Sequence, residues 1–268
     1  MKTIIHNREN NRRFASACML VALAFLILSA CSSPLKTDMM HMIVMTKTTD
    51  YRHDNIPVAV GALEKLAREN NWKMFHTEDP LYFSEASLDT FDLVVFLQTS
   101  GDIFDDTQRQ AIENHVMNGG GLLTIHTGTV TENRWPWFTK MMGATFIGHP
   151  PVQQGKLIIE ERGHPSTSFF PDTVWVIEDE WYSFDRNPRQ DVHVLISIDE
   201  SSYDVDDNEW FDGVSQRMGD HPMVWYRYAG QGRVFQTALG HPVELYADPL
   251  FLKHIRGAIM WTAGREDY

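Results

Sequence analysis

The stretch Asn118-Gly-Gly-Gly-Leu-Leu-Thr-Ile-His-Thr-Gly128 carries an apolar run straight into a histidine. Its glycines stop a helix that reads up to Met117, and Leu122 to Ile125 reads as a buried strand. That strand delivers His126, Thr127 and Gly128 at its C-terminal end, the edge where open α/β sheets bind ligands. An imidazole placed there can ligate a metal or move a proton. Polar groups follow other apolar runs too: Tyr51-Arg52-His53, Gln98 to Gly101, and Gly240-His241 with Glu244. If those runs are parallel strands, the four loops share one edge and define a site. Three further features lie between them: His149-Pro150, Arg162-Gly163-His164-Pro165, and Glu178-Asp179-Glu180-Trp181-Tyr182. Each His-Pro pair has a second reading, in which proline stiffens a loop and the imidazole packs.

Several chemistries are excluded. The only cysteines are Cys18 and Cys31, both near the N-terminus, so the domain has no thiol nucleophile, thiolate metal site or disulfide. No Gly-x-Ser-x-Gly elbow is present. The three glycines at 119–121 precede their strand, whereas a dinucleotide fingerprint follows one, and there is no phosphate loop. Paired glycosidase carboxylates cannot be picked out by spacing among Glu178, Asp179 and Glu180.

The N-terminus sets the expected compartment. Lys2, Arg8, Arg12 and Arg13 precede an apolar core from Phe14 to Leu28, short for a membrane span and suited to an export signal. Leu28-Ser29-Ala30-Cys31 resembles a bacterial lipobox, which places a lipid (palmitate among its acyl chains) on Cys31. Residues 1–30 are therefore expected to be a signal peptide, 31–38 a tether, and 39–264 one domain held at the cell envelope, outside the cytoplasm. Residues 1–30 hold four of the 23 basic and one of the 36 acidic residues, so the remainder carries −16. Such an acidic surface disfavours nucleic acid.

The elements that must position these residues are legible. Strands are expected around Ile43 to Met45, Trp72 to His76 and Leu93 to Leu97, the last apolar throughout and so covered on both faces. A helix is expected from Asn55, read as its N-cap, through Val58, Leu63, Leu66 and Ala67. Asp105 is expected to cap a helix ending near Gly119, and Asp248 one carrying Leu252, Ile255 and Ile259. This alternation predicts an α/β fold with a mostly parallel sheet and helices on both faces. The segments 156–160, 173–177, 192–198 and 223–228 are short and turn-bounded, and predict added antiparallel strands.

Tyr51-Arg52-His53, the glycine-rich approach to His126, Gly143 to Pro150, Asp179 to Tyr182, and Pro222 through His241 together resemble the ThuA-like family of the trehalose-utilisation type. The resemblance covers residues 40–264 and implies a flavodoxin-like, class I glutamine amidotransferase-like fold. Amidotransferases carry a cysteine nucleophile on the turn where this chain has His126-Thr127-Gly128, so glutaminase chemistry does not follow. The family implies disaccharide metabolism, including steps on keto-sugars, with a carbohydrate as the partner. The positions matched are His53, His126, His149, His164, Glu180, Tyr182 and His241. Two mechanisms fit them: His126, His241 and Glu180 bind a zinc-like divalent metal, or His126 or His241 acts with Glu180 and Tyr182 as acid and base. His53, His149, His164 and Trp181 would contact the sugar. The alternative is a non-catalytic carbohydrate-binding lipoprotein that serves a neighbouring enzyme or transporter.

Overall fold

Leu93 to Leu97 is inaccessible at every position, which requires protein on both sides of that strand. A computed structural model describes residues 39–265 except 208, 209 and 212. The expected signal peptide, tether and lipidated Cys31 lie outside the described residues. In chain order the domain runs β1 (His41–Met45), α1 (Ile56–Glu69), β2 (Lys73–Thr77), α2 (Glu85–Leu88), β3 (Leu93–Leu97) and α3 (Asp106–Met117). It continues with β4 (Gly121–Ile125), α4 (Pro136–Met142), β5 (Phe146–Gly148), β6 (Gln153–Ile159), β7 (Val174–Asp179) and β8 (Ser183–Phe184). The last elements are β9 (His193–Asp199), β10 (Pro222–Ala229), β11 (Gly232–Thr237) and α5 (Pro249–Thr262).

One sheet has the order β2-β1-β3-β4-β11-β10-β9-β6-β7, and β5 pairs with β8 in a separate ribbon. The first five strands of that order are parallel; every later pairing is antiparallel. Alternation along each central strand divides the apolar residues between two cores. Val44, Val95, Leu97, Ile125 and Phe235 face α1 and α5, packing on Leu63 and Ile255. Ile43, Val94, Phe96 and Leu122 face α3 and α4, packing on Ile112 and Phe138. The fold class read from the sequence is the one present.

Direction explains what meets at the ligand edge. β1, β3, β4 and β11 run the same way, so their C-terminal loops share an edge. Four antiparallel steps from β11 return β7 to that same direction, so Asp179 and Glu180 also end there. Two capping expectations differ in outcome. Asp105 makes a full capping box with Gln108 at the start of α3. Asn55 makes no capping bond; its amide instead donates to the carbonyls of Gly240 (3.0 Å) and His241. It therefore ties the loop after β1 to the loop after β11.

α5 closes over the sheet at a glycine. A Cβ on Gly257 would lie 2.2 Å from the Pro165 carbonyl oxygen, within the turn that follows β6. Gly257→Ala is therefore expected to lower stability by about 1–3 kcal/mol, the range for overpacking a filled interior. Urea unfolding checks this, and an unchanged midpoint would mean the 163–166 turn moves freely aside.

Candidate functional site

His126 occupies a backbone conformation that non-glycine residues rarely adopt, with φ of +68°. It is held there by two bonds to the end of β11. Its N–H donates to the Thr237 carbonyl (2.8 Å), and its ring Nδ1–H donates to the Ala238 carbonyl (2.9 Å). Because a carbonyl only accepts, Nδ1 carries the proton and Nε2 keeps its lone pair in the neutral ring. Gln98, at the end of neighbouring β3, has φ of +53° and donates its amide to Gly240 O (2.9 Å) and Tyr246 Oη (3.0 Å).

Three groups converge on the His126 lone pair. The Tyr182 hydroxyl donates to Nε2 at 3.0 Å, His53 Nε2 lies 3.2 Å away, and Glu180 Oε2 lies at 3.5 Å. Glu180 Oε2 is also 3.1 Å from His241 Nδ1, which forms no aligned hydrogen bond, and 3.6 Å from His149 Nε2. His53, His126, Glu180 and His241 each offer one ligand atom, and those atoms all lie within 4.8 Å of one another, so this group could hold a metal ion.

Asp179 positions the carboxylate side of the cluster. It is fully buried and accepts the N–H groups of Glu180 (2.9 Å), Gly240 (2.8 Å) and His241 (3.0 Å). Tyr182 is held from behind: His221 Nε2–H donates to its carbonyl at 2.8 Å, with Glu200 Oε1 3.0 Å from His221 Nδ1. Glu200 Oε1 also takes the N–H groups of Met218 and Gly219.

Electrostatics follow from burial. Burial, reinforced by the nearby His126 and His241 rings, pushes His53 down to about 3. Burial pushes Asp179 up to about 6 against His126 and its three N–H donors. Burial also pushes Glu180 up, but contact with His126 and His241 outweighs it and leaves this carboxyl below its usual range. For His241, burial pulls downward, while Glu180 and then Asp179 outweigh it and raise the ring. Burial and the adjacent Glu180 and Asp179 charges keep the Tyr182 phenol protonated well above its ordinary value. The result is a neutral imidazole, a retained carboxylate and a phenol donor around one lone pair.

Two members of the cluster, His53 and Glu180, line a cleft of about 560 Å³. His53, Glu180 and Tyr182 line its base, and Tyr51, Phe146, His149, Trp210 and Phe211 its walls. Tyr51 and Trp210 are largely exposed at its mouth. Two expected sugar contacts are placed elsewhere. Trp181 is inaccessible, with its indole N–H on the Gln153 carbonyl and its ring against Gly155, so it is a core side chain. Its place in the β7 alternation, in phase with Trp175 and Ile177, was the available signal. His164 packs among Tyr226, Phe235 and Trp261, and its Nδ1 accepts from the Ser166 N–H, so the second reading of its His-Pro pair holds. Asp179 and Phe146 lay within motifs read from the sequence without a role assigned to them, and His221, Trp210 and Phe211 gave no chemical signal as residues of this site.

Fold and cleft define a class: an α/β protein with histidines and a carboxylate gathered at the C-terminal edge of its parallel strands. A family model described as trehalose utilisation matches residues 41–262, and the chain belongs to that family, ThuA. Among solved structures, it is similar to a ThuA-like protein from Bacteroides uniformis, with TM-score 0.69 and 23% identity over 87% of this chain and 94% of that one. A ThuA-like protein from Parabacteroides merdae gives TM-score 0.63 and 17% identity over 84% of this chain and 90% of that one. A β-galactosidase from Bacillus circulans gives TM-score 0.50 and 13% identity over 84% of this chain but 31% of that one, a likeness of fold. No match is found among curated proteins.

The packed histidines make stability depend on pH. Burial holds His164 down to about 3 and His254 down to about 4, from 6.5. The unfolded chain binds protons that the folded chain refuses, so stability is full above 6.5 and falls as the medium is acidified. Each is expected to lose about 2 kcal/mol between pH 7 and pH 5. Urea unfolding at the two values checks this; a flat profile would show that these rings ionise in place.

Proposed function

We propose that this protein is an envelope-anchored member of its family that acts on a sugar or keto-sugar derivative, with a divalent metal held by His53, His126, Glu180 and His241. The observation that carries this reading is the spacing of the donor atoms. A tetrahedral ion with bonds of about 2.0–2.1 Å to nitrogen and oxygen sets its ligand atoms about 3.3 Å apart. Three of the six donor-atom separations, His53–His126, His126–Glu180 and Glu180–His241, are 3.2, 3.5 and 3.1 Å, and all lie within 4.8 Å, so binding draws the remaining pairs together. Three imidazoles and one carboxylate suit zinc or a similar borderline ion. The Ala238 carbonyl, by holding the Nδ1 proton of His126, supplies the outer support that metal-binding imidazoles normally have.

A bound ion would supply Lewis acidity toward a hydroxyl or carbonyl oxygen. The chain's own groups do the rest. Tyr51 and Trp210 offer aromatic faces on which a sugar ring can stack. Tyr182 carries a donor hydroxyl at the cleft floor, fixed through its carbonyl by His221. The same aromatic mouth also suits a carbohydrate binder without chemistry, and Glu180 separates the two readings.

Elemental analysis of protein prepared without chelator is expected to give close to one divalent ion per chain, and His126→Ala to lose it. A metal-free preparation with full activity would remove the metal from this reading. Glu180→Gln is expected to retain sugar binding within severalfold while turnover falls by about a hundredfold or more. Equal binding with no turnover in either protein would favour the binder.

Anchoring rests on the N-terminal pattern. Among the described residues no helix is long and apolar enough to cross a membrane. Cys31→Ser is expected to move the protein from the membrane to the soluble fraction and to abolish palmitate labelling. A variant that stays membrane-bound would refute lipid attachment at Cys31.

A further inference from the structure

We propose that His149, rather than His126 or His241, is the general base of this site; the inference rests on the sugar-directed reading above. His149 follows β5, where the backbone is pressed against its neighbours. A Cβ on Gly148 would lie 2.5 Å from Gln216 Nε2 and 2.9 Å from Phe211 Cγ. The next residue is thereby held at the cleft wall.

Its tautomer is set locally. His149 Nδ1–H donates to the Pro150 carbonyl at 2.8 Å, so the neutral ring keeps its lone pair on Nε2. Pro150, whose φ is fixed by its ring, stiffens the segment that bears this acceptor. The imidazole lies parallel to Tyr182, with centroids 5.6 Å apart and planes at 25°, and Phe211 packs at 5.1 Å. It is therefore oriented without being a member of the four-residue ligand group.

The other rings belong to the ligand group. His126 Nε2 takes the Tyr182 hydroxyl, faces His53 and is wholly buried. His53 turns Nε2 toward His126, and its Nδ1 is buried without a partner. His241 turns Nδ1 toward Glu180, and although 26% of its side chain is exposed it does not line the cleft. His149 lines the cleft with 12% of its side chain exposed, and its Nε2 is 3.6 Å from Glu180 Oε2, too far for a hydrogen bond. A substrate carbon beside the carboxylate is thus within reach of an unclaimed lone pair.

The step is a proton abstraction next to a ring ketone. The C–H bond breaks, its proton goes to His149 Nε2, and its electron pair forms the C=C bond of an enediolate as the carbonyl π pair moves to oxygen. Return of that proton to the former carbonyl carbon, as the hydroxyl proton on the deprotonated carbon passes to the enolate oxygen, gives the isomeric ketone with no further reactant consumed. Each group here is chosen by position: the base on the wall, and the phenol with His53 and Glu180 on the floor.

The test uses full-length protein loaded with zinc, and a methyl hexopyranoside bearing a ring ketone as the probe. Proton NMR in deuterium oxide reads loss of the signal beside the carbonyl. His149→Gln and His149→Ala are both expected to bind zinc as the wild type does and to slow exchange by about a hundredfold or more. Added imidazole should restore part of the rate in His149→Ala, which a purely structural role would not predict. Should that variant fail to fold, the larger glutamine side chain keeps the comparison. Exchange within threefold of the wild type, or zinc lost with the ring, would overturn the base assignment and leave the sugar-directed reading intact. A zinc-loaded wild type that exchanges nothing would overturn both.

Discussion

The site depends on one buried carboxylate. Asp179 is wholly inaccessible, and its two oxygens accept the N–H groups of Glu180, Gly240 and His241. Those bonds join the end of β7, the last strand in the sheet order, to the loop after β11, a central strand. Burial opposes ionisation and lifts Asp179 to about 6, while three converging N–H dipoles oppose protonation. A neutral side chain of the same shape would not satisfy them. An asparagine presents only one acceptor oxygen, so one N–H would face its NH2 group. The chain thus keeps an electrostatically unfavourable group because no other short side chain can bring Glu180 and His241 together.

The second constraint is the left-handed backbone at His126 and Gln98. Such conformations disfavour a non-glycine residue by roughly 1–2 kcal/mol. Both residues recover interactions by bonding to the 237–241 segment, and Asn55 donates to the same segment from the loop after β1. Three strand-end loops are therefore fastened to a single stretch of backbone. Strain at His126 turns the ring out of the strand direction and toward His53, which extension of β4 would not do. The strain, the fastening and the cluster are parts of one arrangement.

Much of this was legible in the sequence. β3 and β4 read as central because their apolar runs leave no polar face, and the outer strands because their residues alternate. The convergence of His53, His126, Glu180 and His241 was only partly legible. It depends on β7 regaining the direction of β11 after four reversals, and on Asp179 drawing their ends together. Spacing says nothing about either. His149 and His164 illustrate the limit. Both precede proline in a loop, yet one lines the cleft and the other stacks on Tyr226. The difference lies in what packs against each loop, α5 in one case and Phe211 in the other. Trp181 could have been assigned by phase. In β7 the buried positions are Trp175, Ile177 and Asp179, and two further residues bring the same face to Trp181.

The turn after β4 then takes on a definite physical meaning. A cysteine nucleophile at such a turn would need an exposed sulfur and a neighbouring base. His126 is instead inaccessible, its Nδ1 committed to Ala238 and its Nε2 surrounded by Tyr182, His53 and Glu180. A side chain so enclosed cannot approach a substrate atom directly. What the turn still provides is a rigid lone pair aimed at the centre of a crevice. On the proposed reading, the same backbone device that presents a nucleophile would here present a ligand atom, and the groups that meet substrate would come from the walls. Those walls are supplied by Tyr51, after β1, and by the segments around β5 and Trp210, which lie outside the strand ends that the apolar pattern reveals.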